Sequence, residues 1–540
     1  MPPQAIEAYR QAFEANTLTR EQFTTLLDTV ADTTRLVDEL RRQVEWFKRQ
    51  LFGHKSERRL LAPDAQQGSL GQAFEAVPQP PETGGKKIRI DAHERVGRRT
   101  PAHHEGEDLG RFFDEAKVPV EVIELAHPDI DVLTADQYEV VSQKVSYRLA
   151  QRPGSYVVLK YVRPVHKRRD TQALLCAPAP AGVLEGSRAD VSFIAGMMVD
   201  KLVYHLPLYR QHQRLQAAGF KLSRQWLTQL MQAAAELLAP IHEAQRVAVL
   251  ASRVKAMDET PIKAGRVAPG KMKAAYFWPI YGANDEICFL YYPDRSAKNV
   301  YEALGRQPPD GAVLLTDGYA AYTQYARTVG LVHAQCWAHA RRTFIEASDI
   351  EPQRAEQALT MIGELYAIEA DLRERGLTGE AVRAERQGRA QPLVAAFLRW
   401  VDGQFERHGL LPSSPLTKAL AYVRERREGL QVYLHDPGVA IDTNHLERAL
   451  RAIPMGRRNW LFCWTELGAQ HIGMMQSLLV TCRLHGVDPY EYLVDVLQRV
   501  GQHPASRVDE LTPRRWKQLY ATSPLRSPLH ELNSRIKNVA

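Results

Sequence analysis

The chain has 540 residues, of which 44% are hydrophobic and 25% are charged, and its formal net charge is +7. This length exceeds the roughly 250–300 residues at which a single hydrophobic core stops growing, so several domains are expected. No run of about 18 uncharged apolar residues is present and the N-terminus lacks a signal-like apolar stretch, so we predict no contact with a membrane and a cytoplasmic location.

The first predicted element is a coiled coil with a basic tail, within residues 1–60. Apolar residues step by alternating three and four positions over four heptads, which is the spacing of a coiled-coil seam. The seam residues include Val30, Val37, Leu40, Val44, Phe47 and Leu51. The pattern predicts self-association into a dimer or higher homo-oligomer. A helix packed on its own domain is the alternative.

Basic residues mixed with aromatic residues follow the seam in the sequence RRQVEWFKRQLFGHKSERR. This mixture is typical of nucleic-acid binding, although a solvated helix face is the alternative. Residues 61–115 then shift to Pro, Gly, Gln and charged residues, which predicts a basic linker. The candidate DNA contacts in these two segments are Arg49, Lys55, Arg58, Arg98 and Arg99.

A small β-rich module is predicted over residues 116–180. Three segments between residues 118 and 163 alternate apolar and polar side chains, as half-buried strands do. The module ends in the basic sequence KYVRPVHKRRD. Its candidate DNA contacts are Lys167, Arg168 and Arg169.

Residues 187–250 predict two or three helices, broken near Pro207 and Gly219. The sequence GFKLSRQWL within them is typical of the turn and second helix of a helix-turn-helix. Ser223 would be the N-cap of that helix, and Arg224 is a candidate DNA contact. An ordinary layer of helices is an equally good interpretation.

Residues 251–345 predict the first part of a core with the order β-β-β-α-β-α-β-α, which is the layout of a ribonuclease-H-like mixed sheet. The first three strands are predicted at 252–260, 272–282 and 286–292, joined by the turn-like sequences GRVAPGK and GAND. Asp258 closes the first of these strands, and Asp317 closes the fourth, which is predicted at 312–316. If the two strands are neighbours, both carboxylates reach one spot.

Residues 346–440 are rich in helix formers, and the segment is too long for a loop within a compact domain, so we predict an all-helical insertion. The predicted fold class of the whole chain is α/β and multidomain. The insertion could shape a DNA channel or brace the sheet. Residues 441–500 return to the core, where Glu447 lies in the polar helix start DTNHLERALR, and residues 501–540 form a C-terminal tail.

Asp258, Asp317 and Glu447 together predict a catalytic two-metal site. In-line attack on a phosphodiester needs two divalent cations roughly 3.5–4 Å apart, held by hard oxygen ligands. We therefore expect two Mg²⁺ per active site, with Mn²⁺ able to substitute. Candidate DNA contacts around the site are Arg341, Arg342, Arg448, Arg451, Arg457, Arg458 and Trp460.

Eight ordered strings resemble motifs of the bacterial insertion-sequence-sixty-six transposases, whose large subunit is usually called TnpC. They are RQLFGHKSER, KLVYHLPLYRQ, LSRQWL, AMDETPIK, LLTDGYAAY, CWAHARRTF, DTNHLERALR and GRRNWLFCWTELGAQHIGMMQSLL. The resemblance implies a leucine zipper, a DNA-binding segment and a ribonuclease-H-like DDE core with a helical insertion. The third carboxylate of the family maps onto Glu447, and Thr443 stands where the family motif has Asn.

The resemblance implies a DNA transposase that binds insertion-sequence ends, cleaves strands by two-metal hydrolysis and joins the 3′-hydroxyl ends to target DNA. It also implies accessory proteins encoded by the same element and association with the nucleoid. The alternative is a domesticated ribonuclease-H-like DNA-binding protein, or a nuclease, without transposition activity. The three carboxylates and the eight ordered strings favour the transposase.

Zinc is the point at which the chain departs from the family, whose members normally carry two Cys-x-x-Cys pairs around the YVRP string. The five cysteines here are scattered and unpaired in sequence. A structural zinc needs about four thiolate or imidazole ligands, and His127, His166 and Cys176 do not make a convincing set. We therefore expect no structural zinc. His333, Cys336 and His339 form a second, less favoured candidate.

Overall fold

The computed structural model describes most of the chain from residue 112 onwards and part of one N-terminal helix. The described residues are 15, 17, 19, 20, 22–31, 34, 37, 112–114, 116–127, 130, 137–152, 155–268, 271–407, 410–460 and 463–530. Within them the protein is mixed α/β, with two mixed sheets and many helices. Some predicted residues lie outside this part: Leu40, Val44, Phe47, Arg49, Leu51, Lys55, Arg58, Arg98 and Arg99.

The described part of the N-terminal helix exposes the apolar side chains of one heptad position. Phe23, Val30 and Val37 follow one another at intervals of seven residues and are 49%, 54% and 41% exposed. An apolar stripe at heptad spacing becomes buried only when another surface covers it. The predicted coiled coil is compatible with this stripe and remains a prediction.

Replacing Phe23, Val30 and Val37 together by Ser should lower the oligomeric mass of the full chain, because the substitutions remove the apolar surface that a second helix would cover. Light scattering measures the mass directly. Thr24→Ser with Asp28→Ser, at other exposed positions of the same helix, is the control and should leave the mass unchanged. The same mass for the triple variant and the parent would refute the coiled coil.

The first sheet has four strands: β1 (Val120–Glu124), β2 (Tyr138–Arg152), β3 (Ser155–Arg168) and β4 (Leu174–Cys176). Strand β3 pairs parallel with β1 and antiparallel with β2 and β4. The centre of β3 is rich in β-branched and aromatic residues and is largely buried. Strands are therefore present where the alternating sequence pattern predicts them.

Three helices follow the first sheet: α1 (Val191–Leu202), α2 (Leu208–Ala217) and α3 (Arg224–Ala251). The breaks fall where Pro207 and Gly219 predict them, and Gly219 has a φ of +96° that favours glycine. The Ser223 hydroxyl accepts a hydrogen bond from the Trp226 N–H at 3.2 Å, so Ser223 is the predicted N-cap. The guanidinium of Arg224 lies 5.6 Å from the centre of the Tyr209 ring.

The second sheet has six strands: β5 (Val254–Met257), β6 (Thr260–Ala268), β7 (Lys271–Tyr281), β8 (Ile287–Tyr292), β9 (Val313–Thr316) and β10 (Val332–Gln335). Strand β7 pairs antiparallel with β5, β6 and β8. Strand β9 lies between β5 and β10 and is parallel to both. The first and fourth predicted strands are therefore neighbours.

Two predicted boundaries in this sheet are wrong. The predicted turn GRVAPGK is mostly strand, because β6 continues to Ala268. Gly265 has a φ of +74° and lies where the pairing of β6 with β7 shifts register, so a bulge accommodates this glycine. The predicted strand 252–260 is interrupted at residues 258–259, which belong to neither β5 nor β6.

Helices cover the second sheet and form the segment predicted as an insertion. Those between and after the strands are α4 (Ala297–Leu304), α5 (Ala320–Val329) and α6 (Trp337–Ala347). The following segment contains α7 (Pro352–Glu374), α8 (Gly379–Glu385), a π-turn (Arg386–Ala390), α9 (Gln391–Phe405), α10 (Pro415–Glu425), a 3₁₀ turn (Gly429–Gln431) and α11 (Val432–His435). The described residues from 346 to 440 contain no strand.

The last helices return to the sheet: α12 (Asn444–Leu450), α13 (Ala452–Trp460), α14 (Glu466–Leu484), α15 (Pro489–Arg499), a 3₁₀ segment (Ala505–Leu511) and α16 (Pro513–Leu519). The sequence GRRNWLF predicts a turn, but its described residues 456–460 are helical, because α13 ends at Trp460. Helix α14 lies directly on β8, where the Phe289 N–H donates to the Ser477 hydroxyl at 2.8 Å.

Candidate active site

Asp258 and Asp317 follow two neighbouring parallel strands, at the edge where both strands end. Asp258 comes directly after β5 and Asp317 directly after β9, and Ala256 of β5 is in register with Leu315 of β9. Each aspartate is two residues beyond this registered pair. The sheet therefore brings the two carboxylates together, as the sequence predicts.

One oxygen from each of Asp258, Glu259 and Asp317 lies within 4.8 Å of the others. It is the one group of three metal-ligand side chains found among the described residues. Backbone N–H groups orient two of the carboxylates: that of Glu259 donates to Asp258 Oδ1 at 2.7 Å, and that of Tyr319 donates to Asp317 Oδ1 at 3.0 Å. Carboxylate oxygens at this separation are suited to a hard divalent cation.

Glu259 is a member of the cluster that sequence reasoning missed. Its side chain is only 3% exposed and forms an ion pair with Arg295. The Tyr322 hydroxyl donates to Glu259 Oε2 at 2.5 Å, and the Arg295 guanidinium lies 4.3 Å from the centre of the Tyr319 ring. Because Glu259 already has two protein partners, it holds the 258–259 segment in place. Among the described contacts, the carboxylates of Asp258 and Asp317 have no ion pair of this kind.

Ionisation of the clustered carboxyl groups is unfavourable, as the pKa values of Asp258 and Glu259 indicate. Burial, together with the charges of Glu259, Asp317 and Glu447, raises the pKa of Asp258 to about 7. Burial also raises the pKa of Glu259. A bound cation stabilises the ionised form of buried carboxylates that lie close together, because it offsets both their burial and their mutual repulsion. The electrostatics of the cluster therefore fit a divalent metal.

Glu447 lies in the first turn of α12, beside the cluster but outside the group of three. Its Oε1 is 3.8 Å from His339 Nε2 and 3.6 Å from Arg342 Nη2, and both of these residues belong to α6. Its charge is one of those that raise the pKa of Asp258. The structure thus places Glu447 near the two aspartates, with its carboxylate directed to basic groups of α6.

The start of α12 is fixed to the start of α6. The backbone N–H and the hydroxyl of Thr443 each donate to Cys336 Sγ at 3.3 Å, and the Trp337 N–H donates to the Ile441 carbonyl at 3.1 Å. Cys336 and Trp337 are fully buried. Thr443, where the family motif has Asn, therefore has a defined role in holding the helix that carries Glu447.

The less favoured zinc candidate has other contacts for its donor atoms. His333 Nε2 is 2.9 Å from the Thr316 hydroxyl, Cys336 accepts from Thr443, and His339 faces Glu447. Burial lowers the pKa of His333 to about 4, so this ring is neutral at pH 7. The hydrogen bonds of Cys336 and its full burial favour the alternative that Cys336 and Trp337 pack beneath the candidate active site. The absence of structural zinc remains a prediction.

The helical insertion supports the loop that carries Asp317. The Tyr422 hydroxyl donates to the Asp317 carbonyl, and Arg426 Nη2 donates to the Gly318 carbonyl at 3.0 Å. The indole N–H of Trp337 donates to the Leu430 carbonyl at 2.8 Å. Of the two roles predicted for the insertion, these contacts favour bracing of the sheet edge.

The candidate DNA contacts have different surroundings. Arg168 forms an ion pair with Asp170 at 2.6 Å, and Arg457 donates to the Pro261 carbonyl, so both are engaged within the protein. Arg341 and Arg342 line a cavity next to α12. The other candidates lie on described elements without a contact that decides their role: Lys167 and Arg169 near the end of β3, Arg448 on α12, Arg451 at its C-cap, and Arg458 and Trp460 on α13.

Comparison with protein families adds the decisive observation. Residues 186–471, which are more than half of the 540-residue chain, match the family described as "Transposase IS66 family". The chain belongs to the IS66 transposase family. Residues 477–514 match the IS66 C-terminal element. Residues 39–109, which lie outside the described part, match "Transposase C of IS166 homeodomain".

Three proteins of Sinorhizobium fredii (strain NBRC 101917 / NGR234) are similar to this IS66 family member over most of its length. The uncharacterized protein y4jD is 28% identical over 516 residues, which cover 90% of this chain and 96% of its own. The uncharacterized protein y4qI is 29% identical over 503 residues, 87% of each chain. The uncharacterized protein y4hP is 29% identical over 408 residues, 71% of this chain and 72% of its own.

Family membership implies a DDE-type nuclease or transposase that binds DNA and depends on a divalent metal. The cluster of Asp258, Glu259 and Asp317 offers carboxylate oxygens of the kind that hold such a metal. No helix in the described part of this IS66 family member combines the length and the apolar character needed to cross a bilayer.

Proposed function

We propose that this protein is a DDE transposase that cleaves DNA at the ends of an insertion sequence and joins the 3′-hydroxyl ends to target DNA. The observation that carries the proposal is the pair Asp258 and Asp317 at the ends of neighbouring parallel strands, with Glu447 alongside. Buried carboxylates in this arrangement fit a divalent-metal site, and the family match specifies DNA as the substrate class.

The proposal includes a ribonuclease-H-like core built on the second sheet. Its first four strands are consecutive in sequence, and β5, β6 and β8 each pair antiparallel with β7. Its last two strands, β9 and β10, are parallel to β5 and are each preceded by a helix. This order supports the fold inferred from the sequence.

Asp258, Asp317 and Glu447 would hold two Mg²⁺, with Mn²⁺ as a substitute. When bound, the cations would lower the pKa of the attacking water and neutralise charge that develops on the phosphate. The protein itself keeps the ligands in place. The pair Arg295 and Tyr322 fixes Glu259 and hence Asp258, while Tyr422 fixes the backbone of Asp317.

The test is strand cleavage and joining with labelled DNA taken from the flanks of the gene. We expect Mg²⁺-dependent nicking at the terminal inverted repeats and joining of the labelled 3′ ends to a target plasmid. Cleavage without joining would support the nuclease alternative. Binding without either reaction, although Asp258 and Asp317 are present, would support the domesticated DNA-binding protein.

Mg²⁺ should raise the melting temperature of the parent protein, because a ligand that binds only the folded state stabilises it by about 2.7 kcal/mol at 100 times its Kd. Asp317→Asn should lose most of this shift, since it removes a charged ligand. Asp310→Asn is the matched control, because it makes the same chemical change at the opposite end of β9 from Asp317. Equal shifts for all three proteins, measured by thermal unfolding, would place the metal elsewhere.

A further inference from the structure

A cavity of about 500 Å³ lies beside the candidate active site, between α6, α7 and the start of α12. We call it the arginine groove. It is lined by Ala338, Arg341, Arg342, Ile345, Gly363, Tyr366 and Asn444. The groove is distinct from the carboxylate cluster, but Arg342 also faces the neighbouring Glu447, because its Nη2 is 3.6 Å from Glu447 Oε1.

The lining of the arginine groove has an unusual charge balance for a wall next to acidic residues. It contains two guanidinium groups and no carboxylate. The Arg342 side chain is 55% exposed although it faces Glu447, so it retains donors for a further partner. A guanidinium presents several N–H groups in a planar fork, which matches the oxygens of a phosphate.

The groove is also open where a side chain would close it. Gly363 is in the middle of α7, and a Cβ added there would meet no atom within 4 Å. A larger side chain at this position would therefore enter the cavity that Arg341 and Arg342 line.

We propose that the arginine groove binds the sugar-phosphate backbone of the DNA strand next to the scissile bond, with Arg341 and Arg342 contacting non-reacting phosphates. This inference rests on the proposed function, since it assigns a site for the DNA that the carboxylates would cleave. Contacts of this kind fix the register of the duplex and carry no sequence information. The groove thereby positions the reacting phosphate against Asp258 and Asp317.

A steric test leaves every charge in place. Gly363→Leu puts a side chain into the groove, and Gly403→Leu is its matched control, because Gly403 is also helical, also has no atom within 4 Å of an added Cβ, and lies outside the groove. Binding to a fluorescent duplex of arbitrary sequence is measured without Mg²⁺, so that nothing is cleaved. We expect several-fold weaker binding for Gly363→Leu and parent-like binding for Gly403→Leu.

A charge test addresses the phosphates directly. Arg341→Gln should weaken binding of the same duplex about tenfold, the usual effect of losing one charged hydrogen-bonding group. It should also reduce the slope of log K against log salt by about 0.9, as expected for one lost phosphate contact. Arg399→Gln removes the same charge at an exposed position of α9 and should leave both quantities unchanged.

The outcomes separate this inference from the proposed function. If the Gly363→Leu and Arg341→Gln variants both bound the duplex with the affinity of the parent, the proposed role of the groove would be overturned. If the parent itself neither bound nor cleaved DNA, the proposed function would be overturned. Inorganic phosphate is tested in a separate thermal-shift arm. Stabilisation by phosphate alone that disappears in Arg341→Gln, without any change in DNA binding, would assign the groove to free phosphate instead.

Discussion

Replacing Asp258 or Asp317 by Asn should lower the rate of DNA strand cleavage by about a thousandfold or more. Each substitution keeps the size of the side chain and removes a charged oxygen ligand. Cations in such sites supply several kcal/mol of transition-state stabilisation, and about 4 kcal/mol corresponds to three orders of magnitude in rate. Binding of the DNA ends should persist, because phosphate contacts come from other residues. Single-turnover cleavage of labelled ends measures the effect.

The same experiment decides which glutamate is the third carboxylate. We expect Glu447→Gln to match the aspartate variants, and Glu259→Gln to lose less activity, since Arg295 and Tyr322 already engage Glu259. Asp310→Asn serves as the control and should cleave at the parent rate. If Glu447→Gln cleaved normally while Glu259→Gln did not, Glu259 would replace Glu447 in the site.

Replacing Arg386 by Leu should destabilise the helical insertion by about 3–5 kcal/mol, the usual cost of leaving one partner of a buried ion pair uncompensated. Arg386 and Glu369 are only 5% and 8% exposed, and two parallel hydrogen bonds of 2.7 and 2.8 Å join them. The same guanidinium also donates to the carbonyls of Tyr433 and Val439 at 2.8 and 3.0 Å. One side chain thus connects α7, the π-turn and the segment before α12.

Thermal unfolding and limited proteolysis within residues 346–440 measure this effect. The double variant Arg386→Met with Glu369→Leu should recover part of the loss, because no buried charge is left alone, although the carbonyls lose the guanidinium donor. Arg375→Leu is the control: Arg375 pairs with Asp371 and Glu385 at the surface, where an ion pair contributes little. A melting temperature unchanged by Arg386→Leu would contradict the assigned role of this pair.

The parts of the fold that depend on local sequence could be predicted. The short apolar runs before Asp258 and Asp317 predict buried strands, and both strands are present. Ser223 is the N-cap because a hydroxyl one residue before a helix has its acceptor within reach of the free N–H groups. In each case the signal and the structure lie within a few residues of each other.

The parts that depend on distant partners could not be predicted. The sequence does not single out Glu259, because neighbouring side chains of a continuous strand point to opposite faces, so that Glu259 would point away from Asp258. The strand is interrupted at residues 258–259, and this alternation therefore does not hold there. The contact of Cys336 with Thr443 spans 107 positions of sequence, and that of Tyr422 with Asp317 spans 105. Neither has a local signature. The helix-turn-helix, the coiled coil and the absence of zinc remain predictions.

The two hydrogen bonds from the end of α10 and its C-cap to the Asp317 loop make the helical segment 346–440 a mechanical support of the candidate active site. A shortened protein without residues 346–440 would retain Asp258, Asp317 and Glu447 in its sequence, yet the carbonyls of Asp317 and Gly318 would lose the donors of Tyr422 and Arg426. Segment exchange between relatives should therefore be constrained, because a transplanted segment has to supply donors that reach the carbonyls of this loop.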